Sequence, residues 1–151
     1  MSTRDKLNAL SFGVLIVGSL LITVLPAHAG ENLAAAGKQV FKKCAACHKI
    51  GEGAKNSVGP VLTGVIGRKS GTFEAFTYST LNTSAGANGL TWSKENVLEY
   101  LTDPTGFLKT FLTNKGKPDL AVGSAKMAFK LPSEDDRKAV IAYLSTFAPP
   151  K

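Results

Sequence analysis

The chain has 151 residues, enough for one domain with its own hydrophobic core. Its 18 lysines and arginines outnumber 11 acidic residues, and the formal net charge is +7. No nucleic-acid motif accompanies this charge, so we exclude nucleic acid as a partner and favour an acidic protein, with simple solubilisation as the alternative. Two cysteines, two histidines and two methionines leave few side chains that could bind a metal.

The N-terminus has the three parts of a secretory signal peptide. A basic start is followed by an apolar run over residues 10–25 and an A-x-A cleavage site at residues 27–29. The run is shorter than the roughly 20 residues of a usual membrane-spanning helix, so an uncleaved anchor is the weaker alternative. We expect residues 1–29 to be removed on export to the periplasm, leaving one domain over residues 30–151.

An amphipathic pattern predicts that this domain opens with a helix. Leu33, Val40 and Phe41 lie on one helical face, and Gly37 lies on the same face one turn before Phe41. A glycine inside a helix costs about 1 kcal/mol relative to alanine. Gly37 therefore indicates that another element approaches the backbone closely.

The opening helix leads into the pentapeptide Cys44-Ala-Ala-Cys47-His48, the C-x-x-C-H pattern of covalent c-type haem attachment. Two thiols at this spacing can add to the vinyl groups of one porphyrin, and the adjacent histidine then becomes the proximal iron ligand. Without residues 1–29, His48 is the only histidine and Met127 the only methionine. The soft ligands available to an iron are then one nitrogen and one thioether.

Two other uses of the cysteines remain open. An exported C-x-x-C pair can form a disulfide or a dithiol oxidoreductase centre, but that motif typically accompanies a βαβ pattern, which this sequence lacks. A structural zinc site requires four ligands, and Cys44, Cys47 and His48 have no fourth cysteine or histidine to join them. Haem attachment is the favoured interpretation.

The middle of the chain predicts irregular structure. Residues 51–71 are rich in glycine, and the apolar side chains among them, such as Val61 and Leu62, would cover a flat haem face. Residues 72–88 lack sustained periodicity and also predict an irregular segment. Such a segment is long for a compact domain unless a prosthetic group orders it.

Three more helices are predicted in the second half of the chain. One has Ser93 as its N-cap, and the next has Asp103 as N-cap, Pro104 as first residue and Gly116 at its end. The last opens with an S-x-x-D capping pattern at Ser133 and stops at two prolines near the C-terminus. Because no alternating strand pattern or internal repeat is present, the predicted fold is mainly α.

Eight short segments in a fixed order resemble a known family. They are CAACH (44–48), VGPVL (58–62), GVIGRKSG (64–71), FTY (76–78), LTW (90–92), EYL (99–101), KMAF (126–129) and VIAYL (140–144). Together they resemble class I cytochrome c, especially the soluble bacterial relatives of the mitochondrial protein (the long c-two type). The resemblance implies that N- and C-terminal helices pack together, through Gly37 and Phe41, around one covalently bound haem c with glycine-rich loops.

The resemblance also implies roles for individual residues. Met127 becomes the distal iron ligand opposite His48, and the Pro60 carbonyl accepts the His48 ring N–H and thereby fixes its tautomer. The other expected pocket residues contact a buried propionate, the ligand sulfur or the exposed haem edge. The buried propionate is expected to contact Arg68, Tyr78 and Trp92. The ligand sulfur is expected to lie near Tyr100, and the exposed haem edge near Phe129.

The function that the resemblance implies is one-electron transfer rather than enzyme catalysis. His/Met ligation closes both axial positions of the iron, and a thioether ligand raises the potential. We expect a monomer in the periplasm that accepts electrons from a membrane cytochrome bc complex. The expected acceptor is a terminal oxidase or a photosynthetic reaction centre.

Docking is expected through a ring of lysines, chiefly Lys42, Lys43, Lys49, Lys109, Lys126 and Lys130. A haem peroxidase, a gas sensor and a subunit of a larger complex are the alternatives. Peroxidase chemistry is disfavoured, because residues 30–151 contain no second histidine that could act as a distal acid–base group.

Overall fold

The computed structural model describes residues 27–147, so the predicted signal segment lies almost wholly outside the described residues. The helices in this range are α1 (Ala27–Phe41), α2 (Thr80–Ala87), α3 (Lys94–Tyr100), α4 (Pro104–Asn114), a 3-10 helix (Pro118–Leu120) and α5 (Glu134–Leu144). An isolated antiparallel bridge between Lys69 and Thr91 is the only β-type pairing within it. None of these helices is long and apolar enough to span a membrane.

The first and last helices pack against each other at a glycine. A Cβ atom on Gly37 would overlap the Ala139 carbonyl oxygen and would lie 2.9 Å from the Cβ of Tyr143. One turn further along α1, the ring centres of Phe41 and Tyr143 are 5.4 Å apart. The predicted contact of Gly37 and Phe41 with the last helix is confirmed, and it requires a residue without a side chain.

The prediction of irregular structure throughout residues 72–88 is wrong, because α2 lies inside that segment. Ser79 is its N-cap, and the Ser79 hydroxyl accepts the main-chain N–H of Asn82 at 3.3 Å. A Cβ atom on Gly86 would overlap the carbonyl oxygen of Ser70, so α2 packs closely through small residues. Such a helix has no pronounced apolar stripe, which explains why periodicity did not indicate it.

The three helices predicted in the second half of the chain are present. The hydroxyls of Ser93 and Ser133 cap α3 and α5, each accepting the main-chain N–H three residues on, at 3.1 and 3.2 Å. Asp103 occupies the N-cap position of α4, but its side chain makes no capping hydrogen bond. Its carboxylate instead lies 3.2 Å from the Lys130 ammonium.

The helix α4 is anchored in the hydrophobic core. Its Leu108 and Leu112 side chains are fully buried, and the helix packs against α2 and α3. Burial of each leucine contributes about 2 kcal/mol. The helices therefore hold the connecting loops in fixed positions, and these loops carry most of the predicted site residues.

Candidate haem-binding site

A mostly apolar cavity of about 490 Å³ lies between the helices and the loops. It is lined by all ten predicted site residues: Cys44, Cys47, His48, Pro60, Arg68, Tyr78, Trp92, Tyr100, Met127 and Phe129. These residues come from segments that are far apart in the sequence, and the fold brings all of them to one cavity.

The C-x-x-C-H residues occupy tight turns that continue from α1. The main-chain N–H groups of Cys47 and His48 both donate to the Cys44 carbonyl, at 3.0 and 2.9 Å. No disulfide joins the two cysteines, of which Cys44 is half-buried and Cys47 exposed. Burial raises the pKa of the Cys44 thiol. The turns therefore present two thiols and one imidazole to the same cavity.

The main chain of the following loop orients the His48 ring. Its Nδ1 lies 2.7 Å from the Pro60 carbonyl oxygen, and because a carbonyl can only accept, Nδ1 carries the hydrogen. A Cβ atom on Gly59 would lie 2.7 Å from Nδ1 and 2.8 Å from Nε2, so only glycine leaves room for the ring. Burial lowers the pKa of His48 and favours the neutral imidazole that binds metals. The nitrogen left for a metal is Nε2.

Met127 lies half-buried in the loop before α5, which main-chain hydrogen bonds attach to distant parts of the chain. The Leu131 N–H donates to the Leu101 carbonyl at 2.8 Å. The Ala125 N–H donates to the Thr105 hydroxyl at 3.1 Å. The position of Met127 is thus set from α4 and from the end of α3.

Two cationic side chains also hold this loop. Lys126 Nζ donates to the Thr77 carbonyl, 49 residues earlier in the chain. Arg137 Nη1 donates to the carbonyls of Leu131 and Pro132 at 2.8 and 2.7 Å, and Arg137 is only 9% exposed. Sequence reasoning missed Arg137, because an arginine in an acidic first turn of a helix is typical of an exposed face.

Arg68 and Tyr78 supply polar groups to the cavity wall. Arg68 Nη2 donates to the Val61 carbonyl at 2.8 Å, and its guanidinium lies 4.7 Å from the centre of the Phe73 ring. Burial lowers the pKa of Arg68 and raises the pKa of the Tyr78 phenol. A half-buried guanidinium beside a neutral phenol can bind a carboxylate that enters the cavity.

An aromatic cluster forms another part of the wall. The ring centre of Trp92 lies 4.7 Å from that of Tyr100 and 6.4 Å from that of Phe107. Burial raises the pKa of Tyr100 to about 12, although a hydrogen bond with Asn82 acts in the opposite direction. Asn82 lines the cavity, is 6% exposed and accepts the Ser79 hydroxyl at 3.0 Å. Asn82 was not predicted as a site residue, although its position three residues after the capping Ser79 was a usable signal.

These side chains fit a covalently attached haem. Two thiols and the Nε2 atom of His48 line the cavity together with the thioether of Met127. The space that a side chain on Gly59 would fill is taken by the imidazole. At the cavity opening, Phe129 is 43% exposed and Val58 is 76% exposed. The cavity therefore offers attachment points, candidate axial ligands and one edge open to solvent.

Comparison with known proteins identifies the family of this chain. Residues 34–148 match the family model described as "Cytochrome c". The chain is 58% identical over 112 residues to cytochrome c2 iso-1 of Rhodospirillum centenum, covering 74% of this chain and 93% of that one. It is 58% identical over 113 residues to a cytochrome c2 of Rhodopseudomonas palustris, covering 75% and 96%.

The likeness extends to three-dimensional structure. The solved structure of cytochrome c2 from Rhodospirillum centenum superimposes with a TM-score of 0.76 at 54% identity, covering 77% of this chain and 98% of that one. Ferricytochrome c2 from Rhodopseudomonas palustris superimposes with a TM-score of 0.72 at 55% identity. The fold is the class I cytochrome c fold.

The chain belongs to the cytochrome c family. It is an electron-transfer protein rather than an enzyme, and it carries one covalently attached haem c. The predictions of family, fold, cofactor and electron-carrier function are confirmed by these relatives.

Proposed function

We propose that the cavity holds the haem with Cys44 and Cys47 as its covalent attachment points and His48 and Met127 as its axial ligands. The observation that carries this assignment is the convergence of both thiols, the imidazole and the only methionine of residues 27–147 on one cavity. The Pro60 carbonyl leaves Nε2 of His48 as the nitrogen that can reach the iron.

The bound iron supplies the redox chemistry by gaining or losing one electron. His48 and Met127 would occupy both axial positions, which leaves no site for a substrate. Buried Trp92 and half-buried Tyr100 exclude water from the cavity, and a low local dielectric disfavours the additional charge of ferric iron. Thioether ligation acts in the same direction and raises the reduction potential.

Arg68, Tyr78 and Trp92 would hold a buried haem propionate. The guanidinium supplies a positive charge, and the raised pKa of Tyr78 keeps its phenol protonated and able to donate a hydrogen bond. Phe129, exposed at the cavity opening, would border the haem edge through which electrons enter and leave.

We propose that residues 1–29 are a cleaved secretory signal peptide and that residues 30–151 act as a soluble monomer in the periplasm. The A-x-A site at residues 27–29 supports cleavage. Covalent haem attachment would follow export. Mass spectrometry of the purified protein should find Gly30 as the first residue, and a mature protein that starts at Met1 or Ser2 would contradict cleavage.

The proposed electron donor is a membrane cytochrome bc complex, and the proposed acceptor is a terminal oxidase or a photosynthetic reaction centre. Lys43 and Lys126 line the cavity opening, which supports docking to an acidic surface there. The charge of the expected lysine ring is partly balanced, because Lys43 pairs with Asp136 at 2.9 Å and Lys130 pairs with Asp103. Lys126 therefore supplies the strongest charge contrast at the opening.

Charge reversal tests the docking surface. Lys126→Glu should slow second-order electron transfer to the acceptor about tenfold at low ionic strength, and added salt should close the gap. Lys151→Glu changes the net charge equally at the C-terminus and should have little effect. Transfer rates that are independent of ionic strength, or equal effects of the two variants, would rule out the lysine surface.

Substitution of Met127 tests the axial ligand. Met127→Ala should abolish the weak near-infrared band that ferric iron bound to a methionine sulfur displays, and the ferrous protein should then bind carbon monoxide. Val122→Ala, at a 60% exposed position five residues earlier in the same loop, is the control and should keep the band. A band that survives in Met127→Ala, or rapid binding of carbon monoxide by the unsubstituted protein, would refute the closed His/Met site.

A further inference from the structure

The peptide unit between Pro60 and Val61 is hydrogen-bonded on both sides. Its carbonyl oxygen accepts Nδ1 of His48 at 2.7 Å. Its N–H donates to Oδ1 of Asn56 at 3.0 Å. Asn56, one peptide group and His48 thus form a continuous chain of hydrogen bonds that all point in the same direction.

A second contact fixes the orientation of the Asn56 amide. Asn56 Nδ2 donates to the Glu74 carbonyl at 3.0 Å. Because a carbonyl only accepts, the NH₂ group must face Glu74. The oxygen must then face Val61, which is the orientation that the hydrogen-bond chain requires.

Other groups hold the next peptide unit, between Val61 and Leu62, independently of Asn56. The Val61 carbonyl accepts Arg68 Nη2, and the Leu62 N–H donates to the Lys49 carbonyl at 2.9 Å. Val61 is only 3% exposed, so the local dielectric is low. In such surroundings each hydrogen bond of a chain strengthens its neighbours by about 10–30%.

We propose that Asn56 is a positioning residue that tunes the electron donation of His48 to the iron through the Pro60–Val61 peptide. By accepting the peptide N–H, Asn56 increases the negative charge on the Pro60 carbonyl oxygen. A stronger acceptor draws the Nδ1 proton of His48 and makes Nε2 a better donor, which favours ferric iron. This inference rests on the proposed role of His48 as an iron ligand.

Two variants separate tuning from a purely structural role. Asn56→Leu removes the acceptor while keeping the same branched side-chain shape, whereas Asn56→Asp keeps an acceptor oxygen; both lose the amide donor to Glu74. Asn56→Leu should raise the ferrous-to-ferric ratio at a fixed potential about twofold, which for one electron is a shift of about 20 mV. Asn56→Asp should leave the potential unchanged or lower it.

Nuclear magnetic resonance of the ferrous protein gives a direct reading of the His48 hydrogen bond. The Nδ1–H resonance should move upfield in Asn56→Leu, and it should remain in place or move downfield in Asn56→Asp. Asn88→Leu is the matched control, since Asn88 donates its amide to the Ser84 carbonyl and makes no contact with this peptide. If Asn56→Leu fails to incorporate haem, Asn56→Ala replaces it in the same comparison.

Equal shifts in the Leu and Asp variants, or no shift in either, would overturn the inference and leave Asn56 as a tether between loops. Failure of the proposed function has a different signature. If His48 were not a ligand, its carbon-bound ring protons in the unsubstituted ferrous protein would lack the large ring-current shift of an axial imidazole.

Discussion

The two sides of the cavity are held by contacts of different range. On the His48 side, the decisive hydrogen bonds join residues 12 and 5 positions apart, His48 to Pro60 and Val61 to Asn56. On the Met127 side, the loop is held across 20 and 49 positions, by Thr105 and Thr77. The His48 side is supported mainly by its own neighbourhood, whereas the Met127 loop depends on distant parts of the fold in addition to the nearby Arg137.

This difference predicts unequal local stability. Contacts between distant residues require a larger loss of chain entropy, and segments that depend on them open in steps below global unfolding. The proposed covalent attachment through Cys44 and Cys47 adds a further constraint on the His48 side. We therefore expect the Met127 loop to detach before the His48 side does.

The largest effect is expected from Gly59→Ala on the His48 side. Its Cβ would lie 2.7 Å from Nδ1 of His48, so the ring or the loop must move. We expect the free energy of unfolding to fall by about 4 kcal/mol and the yield of haem-linked protein to drop. Gly30→Ala, where an added Cβ meets nothing within 4 Å, is the control. A denaturation midpoint equal to that of the control would show that the His48 ring or its loop can move with little loss of stability.

A smaller effect is expected from Arg137→Leu on the Met127 side. The variant loses two hydrogen bonds to the Leu131 and Pro132 carbonyls, at a cost of about 3 kcal/mol. In guanidinium titrations the near-infrared iron–sulfur band should disappear well before the helical circular dichroism signal. Lys138→Leu is the control, because this exposed lysine pairs with Glu134 on the surface and its loss should change stability little. A simultaneous loss of both signals in Arg137→Leu would contradict separate opening of the loop.

The smallest effect at neutral pH is expected from Tyr100→Phe. Burial raises the Tyr100 pKa from 10.0 to about 12. The folded state therefore keeps this proton after the unfolded chain has lost it. Its contribution to stability is fully present below pH 10 and is lost as the pH rises through about 12, at up to roughly 1.4 kcal/mol per pH unit.

Tyr100→Phe should remove that pH dependence and also the tyrosinate absorbance that develops near pH 12. Tyr143→Phe is the matched control. If the late tyrosinate persists in Tyr100→Phe, the most deeply buried phenol of the cavity has been assigned to the wrong residue.

Local signals were sufficient for much of the fold. Serine caps at Ser93 and Ser133 identified two helices, because a capping hydroxyl acts within one turn. The same kind of signal was present at Ser79, but small residues such as Gly86 left α2 without an apolar stripe. Hydrophobic periodicity indicates where large apolar side chains are buried. It gives no signal where small residues let two backbones pack closely.

The amino-acid sequence by itself determined the haem motif, the scarcity of other ligands and the family, because each is a matter of residue type, count and order. Tertiary structure decided which groups support the candidate ligands. Asn56 and Arg137 act through main-chain groups of the connecting loops, and a main-chain carbonyl or N–H leaves no mark in the sequence. Which main-chain group each side chain meets depends on how the loops pass one another in space. That arrangement cannot be read from the residue types of a single segment.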